Sequence, residues 1–219
     1  MTDAAMSAYQ DGSVEGSLHR PESANGIAIV LTHGAGSDSR SPLVIAVANQ
    51  LSSAGYTVLR TDLHFRRVRA KGPPMPATAA ADRQGIEQAA ISLRQSTGFP
   101  VVLAGHSYGG RQSSMVAAEK PALAAGLLLL SYPLHPPGKP DQLRISHFPN
   151  IQTPCLFVHG ANDPFATLEE LRLHTATIPA PVETISVLKV GHDLNRGRLP
   201  WTDILAAFSR LLGVPGSTG

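Results

Sequence analysis

Continuous apolar runs and helical spacings take turns along this chain. Ile27 to Thr32 (IAIVLT) is apolar almost throughout and stops at His33-Gly34, the pattern of a strand covered on both faces in a parallel sheet. A helix should follow: Pro42 suits a first helical turn, and Leu43, Val44, Val47, Ala48 and Leu51 recur at helical spacing until Gly55. The same rhythm predicts strands over 56–60, 101–104, 127–131, 156–159 and 183–187. Helices are expected between them over about 79–96, 109–119, 168–177 and 201–212. Strict alternation of this kind implies an α/β fold, a doubly wound and mostly parallel sheet with helices on both faces and right-handed crossovers.

Two stretches break the rhythm. Residues 64–78 (HFRRVRAKGPPMPAT) are basic and proline-rich, and 132–154 carries six prolines without a period, so both are expected to be long surface loops. Neither is long enough for a domain of its own. The expectation is one domain over 1–219, with its core at about 14–212. THGAG at 32–36 and VHGAN at 158–162 echo one another. Two strands delivering turns to one sheet edge would produce that echo, and so would chance in a chain rich in Gly and Ala.

Composition narrows the function classes. With 42% hydrophobic and 16% charged residues and a net charge of +2, the chain can bury a core and is not disordered. Arg66, Arg67, Arg69 and Lys71 supply a local basic cluster, and without them the net charge turns negative, so nucleic acid is not an expected partner. The single cysteine, Cys155, forms no disulfide framework and is too little for a cysteine-based zinc site, which points to a reducing compartment. No apolar run approaches the roughly 20 residues of a membrane helix, and the first residues lack a secretory pattern. A cytoplasmic protein without metal or cofactor is expected, not bound to membrane; its oligomeric state is left open.

The chemistry centres on Ser107. Gly105-His106-Ser107-Tyr108-Gly109 fits G-x-S-x-G, with a predicted strand before it and a helix after it. A nucleophile at the apex of a tight strand-to-helix turn needs small residues two positions either side, and the helix N-terminus behind it directs N–H groups toward a developing oxyanion. A serine hydroxyl also needs a base. His192 follows the 183–187 strand in a Gly-His turn, at the carboxyl edge where ligands of open α/β sheets collect; the alternative for it is a solvent-facing turn. Asp163, just after the 156–159 strand, is the best-placed acceptor for His192, ahead of Asp38, Asp141 and Asp193. Its structural alternative is capping the next helix.

The order Ser107, Asp163, His192, with GHSYGG at the elbow and THGAG after an early strand, resembles the α/β-hydrolase superfamily over about residues 14–212. SYPLHPPGKP and the arginine-rich loop look like its small capless branch, with dienelactone-hydrolase-like proteins and the testis-expressed and NSL-complex-subunit-like sequences. The resemblance implies a Ser-His-Asp triad and an oxyanion hole formed by the N–H groups of Tyr108 and Ala35. Only 132–154 occupies the place of a lid, so the site should be open. A small acyl ester, thioester or lactone would suit it, with Tyr108, Leu134 and Phe165 at the rim.

The basic loop should reach the same edge, which makes Arg66, Arg67 and Arg69 candidates for binding a carboxylate or phosphate on an anionic substrate. A solvated loop is the plainer alternative. Two functions stand side by side: a serine hydrolase working through an acyl-enzyme, and a non-catalytic module of the same fold that binds an acidic partner through residues 64–71.

Overall fold

The computed structural model describes residues 5–214. Eight strands form one sheet: β1 (Ala5–Asp11), β2 (Val14–Arg20), β3 (Ala28–Thr32), β4 (Thr57–Thr61), β5 (Val101–His106), β6 (Gly126–Leu130), β7 (Cys155–Gly160) and β8 (Val182–Val187). Their order across the sheet is β1-β2-β4-β3-β5-β6-β7-β8. From β4 to β8 all neighbours run parallel, whereas β1–β2 and β2–β4 are antiparallel. The predicted α/β architecture is therefore present, as is the predicted alternation. β3 and β6 are buried at every position, as their unbroken apolar sequences require.

Helices cover both faces. On one, α1 (Pro42–Ser53) and α6 (Trp201–Leu212) pack Leu43, Val47, Leu51, Ile204 and Phe208 against Ile29, Leu31, Val102 and Leu128. On the other, α3 (Ala79–Thr97), α4 (Tyr108–Glu119) and α5 (Leu168–Thr175) set Ile86, Leu93, Val116 and Leu171 against Val30, Leu103, Leu129 and Phe157. Because β4 and β5 lie on opposite sides of β3, the strand order reverses there. Such a reversal opens a crevice beyond the carboxyl ends of the strands.

Three features depart from the expectation. The hairpin β1–β2 has no counterpart in the predicted elements, because β1 is exposed at nearly every residue and so carries no apolar alternation. Within the stretch expected to be loop, His64–Val68 forms a short helix, α2, anchored by buried Phe65. The 132–154 segment is only partly a surface loop: Tyr132, Leu134 and Phe148 are buried, and the Tyr132, Phe148 and Phe157 rings pack at centroid distances of 5.4 to 6.4 Å. Aromatic burial there compensates for the absence of regular structure.

Candidate active site

The turn from β5 into α4 is as tight as its sequence demands. A Cβ added at Gly105 would lie 2.5 Å from the Gly109 carbonyl carbon; at Gly109 it would lie 2.5 Å from the His33 oxygen, and at Gly110 2.7 Å from the Gly105 oxygen. No side chain fits those spaces. Ser107 itself adopts φ 51°, ψ −114°, a strained conformation held by its N–H bond to the Leu130 carbonyl at 2.8 Å.

Ser107 Oγ lies 2.7 Å from His192 Nε2, and His192 Nδ1 lies 2.8 Å from Asp163 Oδ2. With Nδ1–H donating to the carboxylate, Nε2 is free to accept the serine proton. Asp163 is buried, and its second oxygen accepts the Phe165 N–H at 2.9 Å. The cap of α5 is instead Thr167, whose side chain exchanges bonds with Glu170, so Asp163 is not the helix cap. His192 faces Ser107 rather than solvent. The Phe165 ring stacks against its imidazole at 4.0 Å between centroids.

The neighbouring histidines hold this geometry. His106 donates from Nε2 to the His192 carbonyl at 3.0 Å, and burial pushes its imidazole down to about 4, so it stays neutral near pH 7. The two echoing His-Gly turns emerge from β3 and β7 at one sheet edge, and their histidines do similar work. His33 Nδ1 donates to the Gly34 carbonyl at 2.8 Å while its Nε2 accepts the Leu63 N–H at 3.1 Å. His159 Nε2 donates to the Ala166 carbonyl at 2.9 Å. Burial lowers the pKa of both. Each buried imidazole ties one turn to the loop beside it.

Ser107 and His192 open into a cavity of about 860 Å³, which Ala35, Tyr108 and Phe165 also line. Tyr108 begins α4, so its N–H belongs to the first helical turn, where no helical acceptor exists. Its hydroxyl donates to buried Asp82 at 2.7 Å, and Asp82 also accepts the Phe65 N–H at 2.8 Å. Burial, then Asp82, hold that phenol well above its ordinary pKa and therefore protonated.

Other expected contacts fall elsewhere. Leu134 is completely buried in the core and does not reach the rim. Arg66, Arg67 and Arg69 do not line the cavity, because their guanidinium groups are engaged by backbone oxygens. Arg66 donates to the Ser37 and Ala35 carbonyls at 3.0 Å each and to the Gly72 carbonyl at 3.1 Å. Arg67 donates to the Ser13 carbonyl at 2.6 Å, and Arg69 to that of Pro73. The arginines that do line the cavity are Arg83, Arg111 and Arg144, none of them singled out by the sequence. For Arg111 a signal was available, since it lies four residues after Ser107 on α4, one helical turn away.

Among the described residues no helix is long and apolar enough to cross a membrane. Similar solved structures include dienelactone hydrolase from Anabaena variabilis, 21% identical over 96% of each chain with a TM-score of 0.73. A lidless α/β serine hydrolase from Xanthomonas campestris is 17% identical, covering 99% of this chain and 98% of that one, with a TM-score of 0.71. Est1E from Butyrivibrio proteoclasticus, solved with ferulic acid bound, is 16% identical over 93% and 96% of the two chains, at 0.71. At these identities the likeness is one of fold. The sequence itself matches the family model of an alpha/beta hydrolase domain over residues 25–200, and with four-fifths of its length so matched the chain belongs to the α/β-hydrolase superfamily.

Proposed function

We propose that this chain is a serine hydrolase of small acyl esters, thioesters or lactones. The observation that carries the reading is the unbroken line of short hydrogen bonds from Ser107 through His192 to buried Asp163, opening on a cavity large enough for a small substrate. His192 Nε2 takes the hydroxyl proton as Ser107 Oγ bonds to the substrate carbonyl carbon. Asp163 holds the imidazole in the right tautomer and stabilises its charged form.

The oxyanion of the tetrahedral intermediate is met by the N–H groups of Tyr108 and Ala35. Collapse breaks the bond to the leaving oxygen or sulfur, which takes the proton from His192 and leaves an acyl-Ser107 ester. Water then gives a proton to His192 and attacks that ester, and collapse releases the acid as His192 returns the proton to Ser107 Oγ. Engagement of Arg66, Arg67 and Arg69 by backbone oxygens weighs against the alternative, an acidic partner docked on 64–71.

A fluorophosphonate probe followed by peptide mass spectrometry tests the reading. The label should fall on Ser107, and Ser107→Ala should lower p-nitrophenyl acetate turnover by at least about 10⁴-fold while the protein stays folded. Undiminished turnover in that variant would exclude Ser107 as the nucleophile.

A further inference from the structure

One part of the cavity lining carries more positive charge than the protein neutralises. Arg83 on α3, Arg111 on α4 and Arg144 in the segment after β6 all line the cavity, and among the described residues the carboxylate in the lining is Asp193. Arg83 has a partner, the Glu119 carboxylate at 3.2 Å, and also donates to Gln112 Oε1 at 3.2 Å. Among the described residues, Arg111 and Arg144 have no carboxylate within ion-pair distance.

The polar atoms around them are left in want of an acceptor. Arg111 Nε is buried without a hydrogen-bond partner, and Gln112, completely buried, has its Oε1 occupied by Arg83 while its Nε2 has no acceptor. Burial and the nearby Arg111 charge lower the Arg144 pKa. Burial, then Arg111 and Arg83, push the His147 imidazole down to about 4. Buried donors without acceptors and like charges held together are costly in a finished core. They are the expected state of a site whose acceptor arrives with a ligand.

We propose that Arg111, Arg144 and the Gln112 amide form a subsite for an anionic oxyacid group, carboxylate or phosphate, carried on the acyl side of the substrate. The substrate class is then a short acyl ester or thioester with a second, negatively charged end. Ser107 caps α4 and Arg111 is four residues on, a separation of about 6 Å along the helix axis. The charged group therefore sits a few bonds from the scissile carbonyl, as in a half-ester of a four- or five-carbon dicarboxylic acid. Reference to a substrate rests on the hydrolase reading; the anion site itself does not.

Two measurements separate these claims. The first compares hydrolysis of mono-p-nitrophenyl glutarate and neutral p-nitrophenyl butyrate. The kcat/KM ratio should favour the glutarate ester at least tenfold at low salt, and the preference should shrink as salt rises. Arg111→Gln and Arg144→Gln should each reduce that ratio about tenfold, Arg111→Lys should retain part of it, and Arg67→Gln should keep it.

The second titrates Ser107→Ala with glutarate, propyl phosphate and inorganic phosphate by calorimetry. Binding of any of them that weakens at least tenfold on adding Arg111→Gln supports the subsite, and the tighter ligand identifies carboxylate or phosphate as the natural group. Glutarate or phosphate binding that depends on Arg111, in a protein whose Ser107 the probe does not label, would leave the anion site standing and overturn the hydrolase reading. Ester hydrolysis with no charge preference in the wild type, together with no anion binding to Ser107→Ala, would overturn the subsite and leave the hydrolase reading intact.

Discussion

Two groups of arginines lie near the carboxyl edge of the same sheet, and they are in opposite electrostatic states. Arg66, Arg67 and Arg69 are close in sequence and exposed in part, yet each donates to carbonyl oxygens of its own surroundings. Arg83, Arg111 and Arg144 are scattered over about sixty residues, but the fold gathers them in one cavity lining where, among the described residues, Glu119 is the ion-pair partner found for the three. A guanidinium satisfied by backbone oxygens organises a loop. One left short of acceptors in a cleft is available to a ligand. Clustering along the chain therefore pointed away from the arginines that line the cavity, because it reports neighbours in sequence and not the acceptors that surround each side chain.

The largest expected effect that would sharpen this contrast is at Arg66. Its Nε and Nη2 bridge the Ser37 and Ala35 carbonyls, so Arg66→Ala should loosen the segment that carries the proposed Ala35 oxyanion donor. Loss of charge-assisted bonds worth about 1.5 to 3 kcal/mol in total should lower kcat about 10- to 100-fold for neutral and anionic esters alike. It should also lower Tm. A rise in KM confined to the anionic ester would instead make Arg66 a direct substrate ligand and erase the distinction between the two groups.

Acid should discriminate between the two regions next. His147, beside Arg111 and Arg83, and His106, behind His192, both have imidazoles pushed down to about 4 in the folded protein, against about 6.5 in the unfolded chain. Between those values the unfolded state binds more protons, so the stability these groups lend is full above pH 6.5 and is lost as pH falls toward 4. The loss should be about 1 to 3 kcal/mol for each, the lower figure applying where solvent screens a half-buried ring. Urea midpoints at pH 7.5, 6, 5 and 4.5 measure it, and His147→Gln should flatten the slope. An unchanged slope would mean that neither the burial of His147 nor the positive charge beside it costs stability in acid.

The smallest effects belong to Arg67 and Arg69. Each has its partner on the exposed surface, so Arg67→Gln and Arg69→Gln should change stability by less than about 1 kcal/mol and leave kcat/KM for both ester types within about twofold. A tenfold loss for the anionic ester alone in either variant would return the basic loop to the binding site.

That Ser107, His192 and Asp163 would meet was legible in the sequence. Ser107 announced itself through glycines that only a crowded turn needs, and His192 and Asp163 through their places just after strands, since parallel strands deliver their carboxyl ends to one edge. The apolar runs of β3, β5, β6 and β7 marked the buried centre of the sheet because a strand covered on both faces has no polar side to show. β1 stayed invisible for the converse reason: an edge strand exposed along its length is held by backbone bonds to β2, and those leave no mark on side-chain pattern.

What the sequence by itself determined, then, is what repeats or is local: the alternation of elements, the elbow and the chain order of the proposed triad. Only the tertiary structure decided which side chains share a space. Leu134 fell into the core although its segment, in the place of a lid, was expected to bring it to a rim, because Tyr132 and Phe148 draw that segment inward. Asp82 and Tyr108, twenty-six residues apart, meet because α3 and α4 pack side by side. Arg83, Arg111 and Arg144 converge for the same kind of reason, from two helices and a loop. Packing joins distant residues through the shapes of whole elements, and no local spacing records where those shapes leave a cavity or which charges line it.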